Sequence, residues 1–225
     1  MELFIKLVLS ILFVAAFVTL NFAIFKLPIK GNDKQIATLA LVVGAVNFYF
    51  KFVVDSQYFF LIQTLTYIII LSSLRRYPLL FSCIVVLGGS VAGSFLDVGV
   101  SFAAVGLNLS SIELMVNNLT HFTVFHLAQT FVYFIISYLL VKFKIGFKLI
   151  AYKYKFYVLE KFNVLWMLLV ISVTAVLIYS SQNFHTSSLH AYILALITLG
   201  LIIFLTYGYS QNKKDQQSRR DVLKK

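Results

Sequence analysis

The feature that most constrains this chain is a repeated alternation of long apolar runs with short polar connections. A helix needs about twenty residues to cross about 30 Å of hydrocarbon, and seven runs approach that length. They cover residues 7–25, 36–54, 58–74, 79–100, 122–141, 162–179 and 189–207. The sequence therefore predicts an all-α, polytopic membrane helix bundle with about seven transmembrane helices, the second and third of them forming a tight hairpin.

Composition supports a lipid environment. The 225-residue chain is 60% hydrophobic and 12% charged, whereas soluble domains are usually about 45–50% apolar and about 25% charged. A soluble fold of this length could not bury so much apolar surface. The lipid membrane is therefore the first predicted partner.

The basic residues predict the orientation. If the connections between the apolar runs are numbered from the N-terminus, 17 of the 19 Lys and Arg residues lie in odd-numbered connections or in the tail. The two exceptions are Lys6 and Lys51. The positive-inside rule then places the N-terminus outside and the C-terminus in the cytosol. Because the cations are divided among the connections, the net charge of +11 does not indicate nucleic-acid binding.

The sequence divides into a transmembrane helical domain, residues 1–209, and a polar basic cytosolic tail, residues 210–225. The tail is either a topogenic segment or the start of a signalling helix. In the fifth connection, Lys142, Lys144 and Lys148 alternate with aromatic residues, which indicates a segment on anionic lipid at the membrane interface. In the fourth connection, residues 110–113 fit a helix capping box and predict a short helix at the outer face.

No catalytic or metal-binding motif is found, and we expect no catalytic residue, cofactor or metal. The single cysteine, Cys83, excludes an internal disulfide and is typical of a small buried hydrophobe. His121 and His126 are five residues apart, about 140° around a helix, so they do not share a face. Gly89 and Gly93 form a GxxxG pair, which favours close helix packing over a ligand role.

Polar groups inside apolar runs are costly and are therefore candidates for function. Within the runs, the strongest are Asp97, His126 and Gln129, with Asn47 and Gln63 weaker. An outward-facing ligand pocket is one hypothesis, because several polar residues fall near the outer ends of the second to fifth runs. Its candidate ligand-binding residues are Asp97, Glu113, His121, His126 and Asp55. Alternatively, each of these residues lies at a wet interface or bonds a neighbouring helix.

Two short motifs and the overall layout resemble a known family. Residues 137–147 (SYLLVKFKIGF) and 109–114 (LSSIEL) are similar to segments of the N-terminal membrane region of Gram-positive sensor histidine kinases. These are the peptide-pheromone sensors of the accessory gene regulator C and competence-receptor group, which belong to the GHKL kinases. The layout of six or seven spans, short outer loops and a basic polar helix after the last span is also similar.

The resemblance implies a receptor region in the bacterial cytoplasmic membrane. A peptide or small amphiphilic ligand would bind from outside, and the last helix would relay the signal to a homodimeric, two-component-type kinase involved in quorum sensing. The family's catalytic residues have no counterparts before Lys225, so kinase activity is expected only if a further domain follows.

Two other functions remain open from the sequence. One is a substrate-binding membrane component of a small-molecule, vitamin-type transporter, because such subunits are of similar size and are basic on the inner side. The other is a membrane enzyme, which would need a Cys–His or similar pair. Cys83 is predicted at the cytosolic end of its helix, whereas His121 and His126 lie near the outer end of theirs, so the enzyme is the weakest of the three.

Overall fold

The computed structural model describes residues 1–56, 58–107, 114 and 118–147. All of them lie in the first of two compact units of the chain, Met1–Ile178. Within the described residues the elements are α1 (Glu2–Ile24), α2 (Asp33–Phe48), a π-helical turn (Tyr49–Val53), α3 (Phe59–Arg75), α4 (Leu79–Gly106) and α5 (Leu119–Lys142). No strand occurs among these residues, so the predicted all-α class is confirmed for this part.

Four helical segments are long and apolar enough to cross a membrane: Glu2–Ile24, Asp33–Val53, Phe81–Gly106 and Leu119–Lys142. Helix α3 is apolar but has only 17 residues, or about 25 Å at 1.5 Å per residue. The predicted spans at 162–179 and 189–207, the tail and the capping box at 110–113 lie outside the described residues.

Two helices extend beyond their apolar runs. Helix α1 begins at Glu2, before the apolar run at residue 7, and Lys6 Nζ forms an ion pair of 2.5 Å with Glu2. This i,i+4 pair stabilises a first turn that apolarity alone does not predict. Helix α4 continues to Gly106, six residues past the predicted end, since residues 101–106 contain no proline that would end it. Within this extension Ser101 Oγ donates to the Asp97 carbonyl (2.8 Å).

The predicted hairpin between the second and third runs is confirmed. Helix α2 widens into the π-helical turn, and the chain then reverses at Asp55, whose φ of +52° is left-handed. The Ser56 amide donates to the Phe50 carbonyl (2.9 Å). Helix α3 then begins at Phe59.

Helix α1 occupies the centre of the bundle and contacts α2, α4 and α5. Its residues Val14, Val18, Leu20 and Phe22 are fully buried, as expected for a helix that is apolar on all sides. The outer faces of the other helices are also apolar, since Leu41, Leu65 and Phe131 are 55%, 51% and 66% exposed. Helices with apolar faces directed outward are stable when lipid surrounds them, which supports membrane association.

The helices place their charges at two ends of the bundle. At one end, which we call the basic end, the Phe147 amide donates to the Ile24 carbonyl (2.6 Å) and the Arg75 guanidinium lies 5.4 Å from the centre of the Phe22 ring. The cations at this end are Lys26, Lys30, Lys34, Arg75, Arg76, Lys142 and Lys144. At the other end, which we call the Lys51 end, α1, α3 and α5 begin and α2 and α4 finish.

Helix α4 presents a glycine face to α1. A Cβ atom on Gly88 would lie 2.8 Å from the Phe25 ring, and one on Gly93 would lie 2.9 Å from the Phe17 ring. A Cβ atom on Gly89 would overlap the Asn21 side chain. Helices α1 and α4 therefore approach closely and run antiparallel, at a distance that side chains at these positions would not permit.

We expect Gly89→Ala to destabilise the bundle by about 1–3 kcal/mol, the usual cost of overpacking. Asn21→Ala removes the overlapping atoms, so the double variant should be less destabilised than the sum of the two single variants. Steric trapping in bicelles would measure the free energy of unfolding. The matched control is Gly99→Ala, since no atom lies within 4 Å of a Cβ there; equal losses for the two alanine variants would contradict the packing role.

Candidate functional site at the Lys51 end

Asp97 is held between α4 and α5 by two side chains of α5. Gln129 Nε2 donates to Asp97 Oδ1 (3.0 Å), and Tyr133 Oη donates to the same oxygen (2.8 Å). Tyr133 Oη also lies 2.7 Å from the Gly93 carbonyl oxygen, so its single proton is shared between two acceptors. We call these four residues the Asp97 network; it positions the carboxylate and leaves Oδ2 without a hydrogen bond among the described residues.

Helical spacing explains why these residues meet. Gly93 and Asp97 are four residues apart on α4, and Gln129 and Tyr133 are four apart on α5, so each pair lies on one face of its helix. Gly93 gives the Tyr133 hydroxyl room to approach, because a Cβ there would lie 3.1 Å from Tyr133 Oη. The network therefore needs a small residue at position 93.

Lys51, in the π-helical turn, lies between aromatic rings. Its Nζ is 5.2 Å from the centre of the Phe52 ring and 5.4 Å from that of Phe59, within the usual range of cation–π attraction. It interacts electrostatically with Asp97. Among the described residues, however, it forms no ion pair and donates no hydrogen bond.

Lys6 of α1 reaches the same aromatic surface. Its Nζ lies 5.3 Å from the centre of the Phe52 ring and 5.8 Å from that of Phe122. Unlike Lys51, it has a carboxylate partner, the exposed Glu2. Phe52 is thus shared by two ammonium groups from different helices, and only one of them is neutralised by direct contact.

His126 continues this surface into the bundle. Its ring stacks on Phe122 at a centroid distance of 3.9 Å, and its Nδ1 lies 3.1 Å from the Phe122 carbonyl oxygen. Donation from Nδ1 to that carbonyl fixes the ring in place and leaves Nε2 as the other polar atom. Within the described residues, no three His, Cys, Asp or Glu side chains are grouped as metal ligands.

A continuous series of ring contacts leads from this surface to the core. Neighbouring centroids are 3.9 to 6.4 Å apart. We call the series the aromatic array; in order, its members are Phe52, Phe122, His126, Phe13, Tyr133, Phe17 and Tyr67. At its inner end Asn21 Nδ2 donates to Tyr67 Oη (3.4 Å). The aromatic array therefore connects Phe52, which lies beside Lys51, to Phe17, which contacts the glycine face of α4.

The structure brings together some of the sequence-predicted site residues. Asp97 and His126 both contact residues of the aromatic array and both interact with Lys51. Asp55 is exposed in the hairpin turn at the same end. His121 lies in the first turn of α5, where its amide donates to the capping Asn118 Oδ1 (3.3 Å). Glu113 lies outside the described residues.

The remaining predicted residues lie elsewhere. Gly89 and Gly93 are on the face of α4 that contacts α1. Lys142 and Lys144 are exposed at the basic end, and Lys148 lies outside the described residues. Cys83 is partly buried in α4 against the core, in the half of the helix nearer the basic end.

Sequence reasoning missed Tyr133, which supplies one of the two bonds to Asp97. Its i,i+4 spacing from Gln129 was the available signal. The chain has 13 tyrosines and 23 phenylalanines, however, so the sequence does not distinguish this tyrosine from the other aromatic residues. No protein-family model, curated protein or solved structure matches the chain.

We expect Tyr133→Phe to lower the free energy of unfolding by about 1–2 kcal/mol, because Asp97 then loses one of its two donors. The matched control is Tyr138→Phe on the same helix, whose side chain is 63% exposed and should change stability by less than about 0.5 kcal/mol. Steric trapping would measure both. An unchanged free energy of unfolding for Tyr133→Phe would show that the Asp97 network does not stabilise the bundle.

Proposed function

We propose that this chain is the membrane-embedded receptor region of a two-component-type signalling protein. In this proposal seven helices cross the cytoplasmic membrane of a bacterium, the N-terminus is outside and the tail is cytosolic. A ligand binds at the Lys51 end, and its signal passes through the last helix. The observation that carries the proposal is the cluster of Lys51, Asp97 and His126 at the end of the bundle opposite the basic end.

Both the cost of buried charge and the distribution of basic residues support a ligand site at this end. Ionisable groups inside an apolar bundle are costly, and they are tolerated mainly where they serve a binding or transfer function. The positive-inside rule assigns the basic end to the cytosol, so the Lys51 end faces the exterior. A ligand arriving from outside would therefore meet the polar cluster first.

The alternative, a substrate-binding component of a vitamin-type transporter, would place its substrate at the same cluster. The two functions differ in the consequence of binding. A receptor, expected as a homodimer that responds to a peptide or small amphiphile, changes gene expression. A transport component changes uptake and purifies with its vitamin and a coupling protein.

The orientation can be tested by cysteine labelling in a Cys83→Ala background. We expect Asp55→Cys to react with a membrane-impermeant maleimide on intact cells, because the hairpin turn faces outward. Lys30→Cys and Lys142→Cys should react only after permeabilisation, since both residues are exposed at the basic end. Labelling of either basic-end cysteine on intact cells would overturn the proposed topology.

The receptor function can be tested in cells that naturally carry the gene. We expect conditioned culture medium to change transcription relative to fresh medium, and expect deletion of the gene or Asp97→Asn to abolish that change. Asp33→Asn, at an exposed position of the basic end, is the matched control and should retain the response. Sequencing of the RNA gives the readout.

A parallel uptake measurement separates the alternative. If the variants leave transcription unchanged but reduce uptake of a labelled vitamin, the receptor proposal is wrong and the transporter component is favoured. Immunoblots of membrane fractions must show equal amounts of each variant.

A further inference from the structure

The two charged groups at the centre of the cluster are both incompletely paired. Lys51 Nζ carries three donors, yet within the described residues it donates no hydrogen bond and lies beside the rings of Phe52 and Phe59. Asp97 Oδ1 accepts two bonds, whereas Oδ2 accepts none from the described residues. A partly buried ammonium and a partly buried carboxylate oxygen thus each have bonding capacity that the protein does not fill.

These groups attract each other without contact. They interact electrostatically, but the one ion pair in the described part of the chain joins Lys6 and Glu2. The Asp97 network holds the carboxylate back on α4, and the rings of Phe52 and Phe59 hold the lysine on the hairpin. A positive and a negative group are therefore held apart at this end of the bundle. Neither Lys51 Nζ nor Asp97 Oδ2 is among the buried unpaired atoms of the described residues, so both atoms reach the surface, where a ligand can contact them.

We propose that this end of the bundle binds a small zwitterion of the amino-acid type, with its carboxylate on Lys51 and its ammonium on Asp97. The proposal rests on the proposed receptor function and names the class of its ligand. One molecule of this kind supplies the acceptor that Lys51 lacks and the donor that Asp97 Oδ2 lacks. A simple anion or a simple cation would fill one group and leave the other unpaired.

The surrounding rings indicate the rest of the ligand. Phe52, Phe59 and Phe122 line the space around the two lysines, and aromatic walls favour an apolar or aromatic side chain. The neighbouring Lys6 is already neutralised by Glu2, so the unpaired charges amount to one of each sign. This balance matches a ligand of zero net charge.

Three probes of one shape test the assignment: L-phenylalanine, phenethylamine, which lacks the carboxylate, and 3-phenylpropionate, which lacks the amine. Ligand-observed NMR on the full chain in phosphatidylcholine nanodiscs, with empty nanodiscs as the blank, gives each Kd. We expect L-phenylalanine to bind at least about tenfold more tightly than either half-analogue, since each lacks one charge-assisted bond.

Two variants assign each charge. Lys51→Met should abolish the preference for L-phenylalanine over phenethylamine, and Asp97→Asn should abolish the preference over 3-phenylpropionate. Lys34→Met and Asp33→Asn, both exposed at the basic end, should keep the wild-type pattern. Because each readout is a ratio of two ligands on one variant, a general loss of stability does not imitate it.

Three results would overturn the proposal: equal binding of 3-phenylpropionate, equal binding of phenethylamine, or no binding of L-phenylalanine at millimolar concentration. The first identifies an anion site and the second a cation site. Zwitterion binding without an Asp97-dependent transcriptional response, either to conditioned medium or to L-phenylalanine added to minimal medium, would remove the receptor function and leave the site. An Asp97-dependent transcriptional response without zwitterion binding would support the receptor function and remove the zwitterion site.

Discussion

The close approach of α1 to the glycine face of α4 sets the positions of the other elements. Gly89 leaves room for Asn21, and Gly93 leaves room for both Phe17 and the Tyr133 hydroxyl. Between apolar helices in lipid, the hydrophobic effect contributes little to association, so dispersion contacts and hydrogen bonds must hold the helices together. The same glycines that permit these contacts also admit the bond from Tyr133 to the Gly93 carbonyl (2.7 Å), which couples packing to the placement of Asp97.

The bundle contains buried polar groups of two kinds. Serine and threonine hydroxyls along the helices bond to carbonyls one turn earlier, as Ser90 does to Val86 and Ser137 does to Tyr133, and these cost little because they stay within one helix. Asp97, Asn21 and Lys51 instead depend on groups from other elements. Asn21 Oδ1 is buried without a hydrogen-bond partner among the described residues, so the centre of the bundle retains an unfilled acceptor beside Gly89.

Much of this architecture could be predicted from the sequence, for physical reasons. Apolar length predicts where helices form, since an unpaired backbone group in lipid costs too much for other structures. The short connection at residues 55–57 predicted the hairpin, and the intramembrane cost of polar groups identified Asp97, His126 and Gln129 as candidates. Helix ends were less predictable, because an ion pair such as Glu2–Lys6 (2.5 Å) extends a helix beyond the apolar run.

Partnerships between helices could not be predicted, because they depend on rotation about each helix axis. Nearly every position in these runs is apolar, so periodicity does not distinguish the face of α5 that carries Tyr133 from the face that carries Tyr138. The direction of Lys51 was also unpredictable, because the residue lies in the π-helical turn. It adds a residue to the local repeat and so turns the lysine to a direction that a regular continuation of α2 would not give.

Asp97 and Lys51 differ in what holds them in the bundle. The Asp97 carboxylate oxygen accepts hydrogen bonds from Gln129 and Tyr133 and so joins α4 to α5. Its removal would lower the stability of the bundle. The Lys51 ammonium has the rings of Phe52 and Phe59 beside it but no acceptor among the described residues, so it joins no helices by a hydrogen bond. A lysine so near the end of its helix can extend its ammonium to the membrane interface, so it is compatible with a stable fold and leaves the ammonium accessible to the proposed ligand.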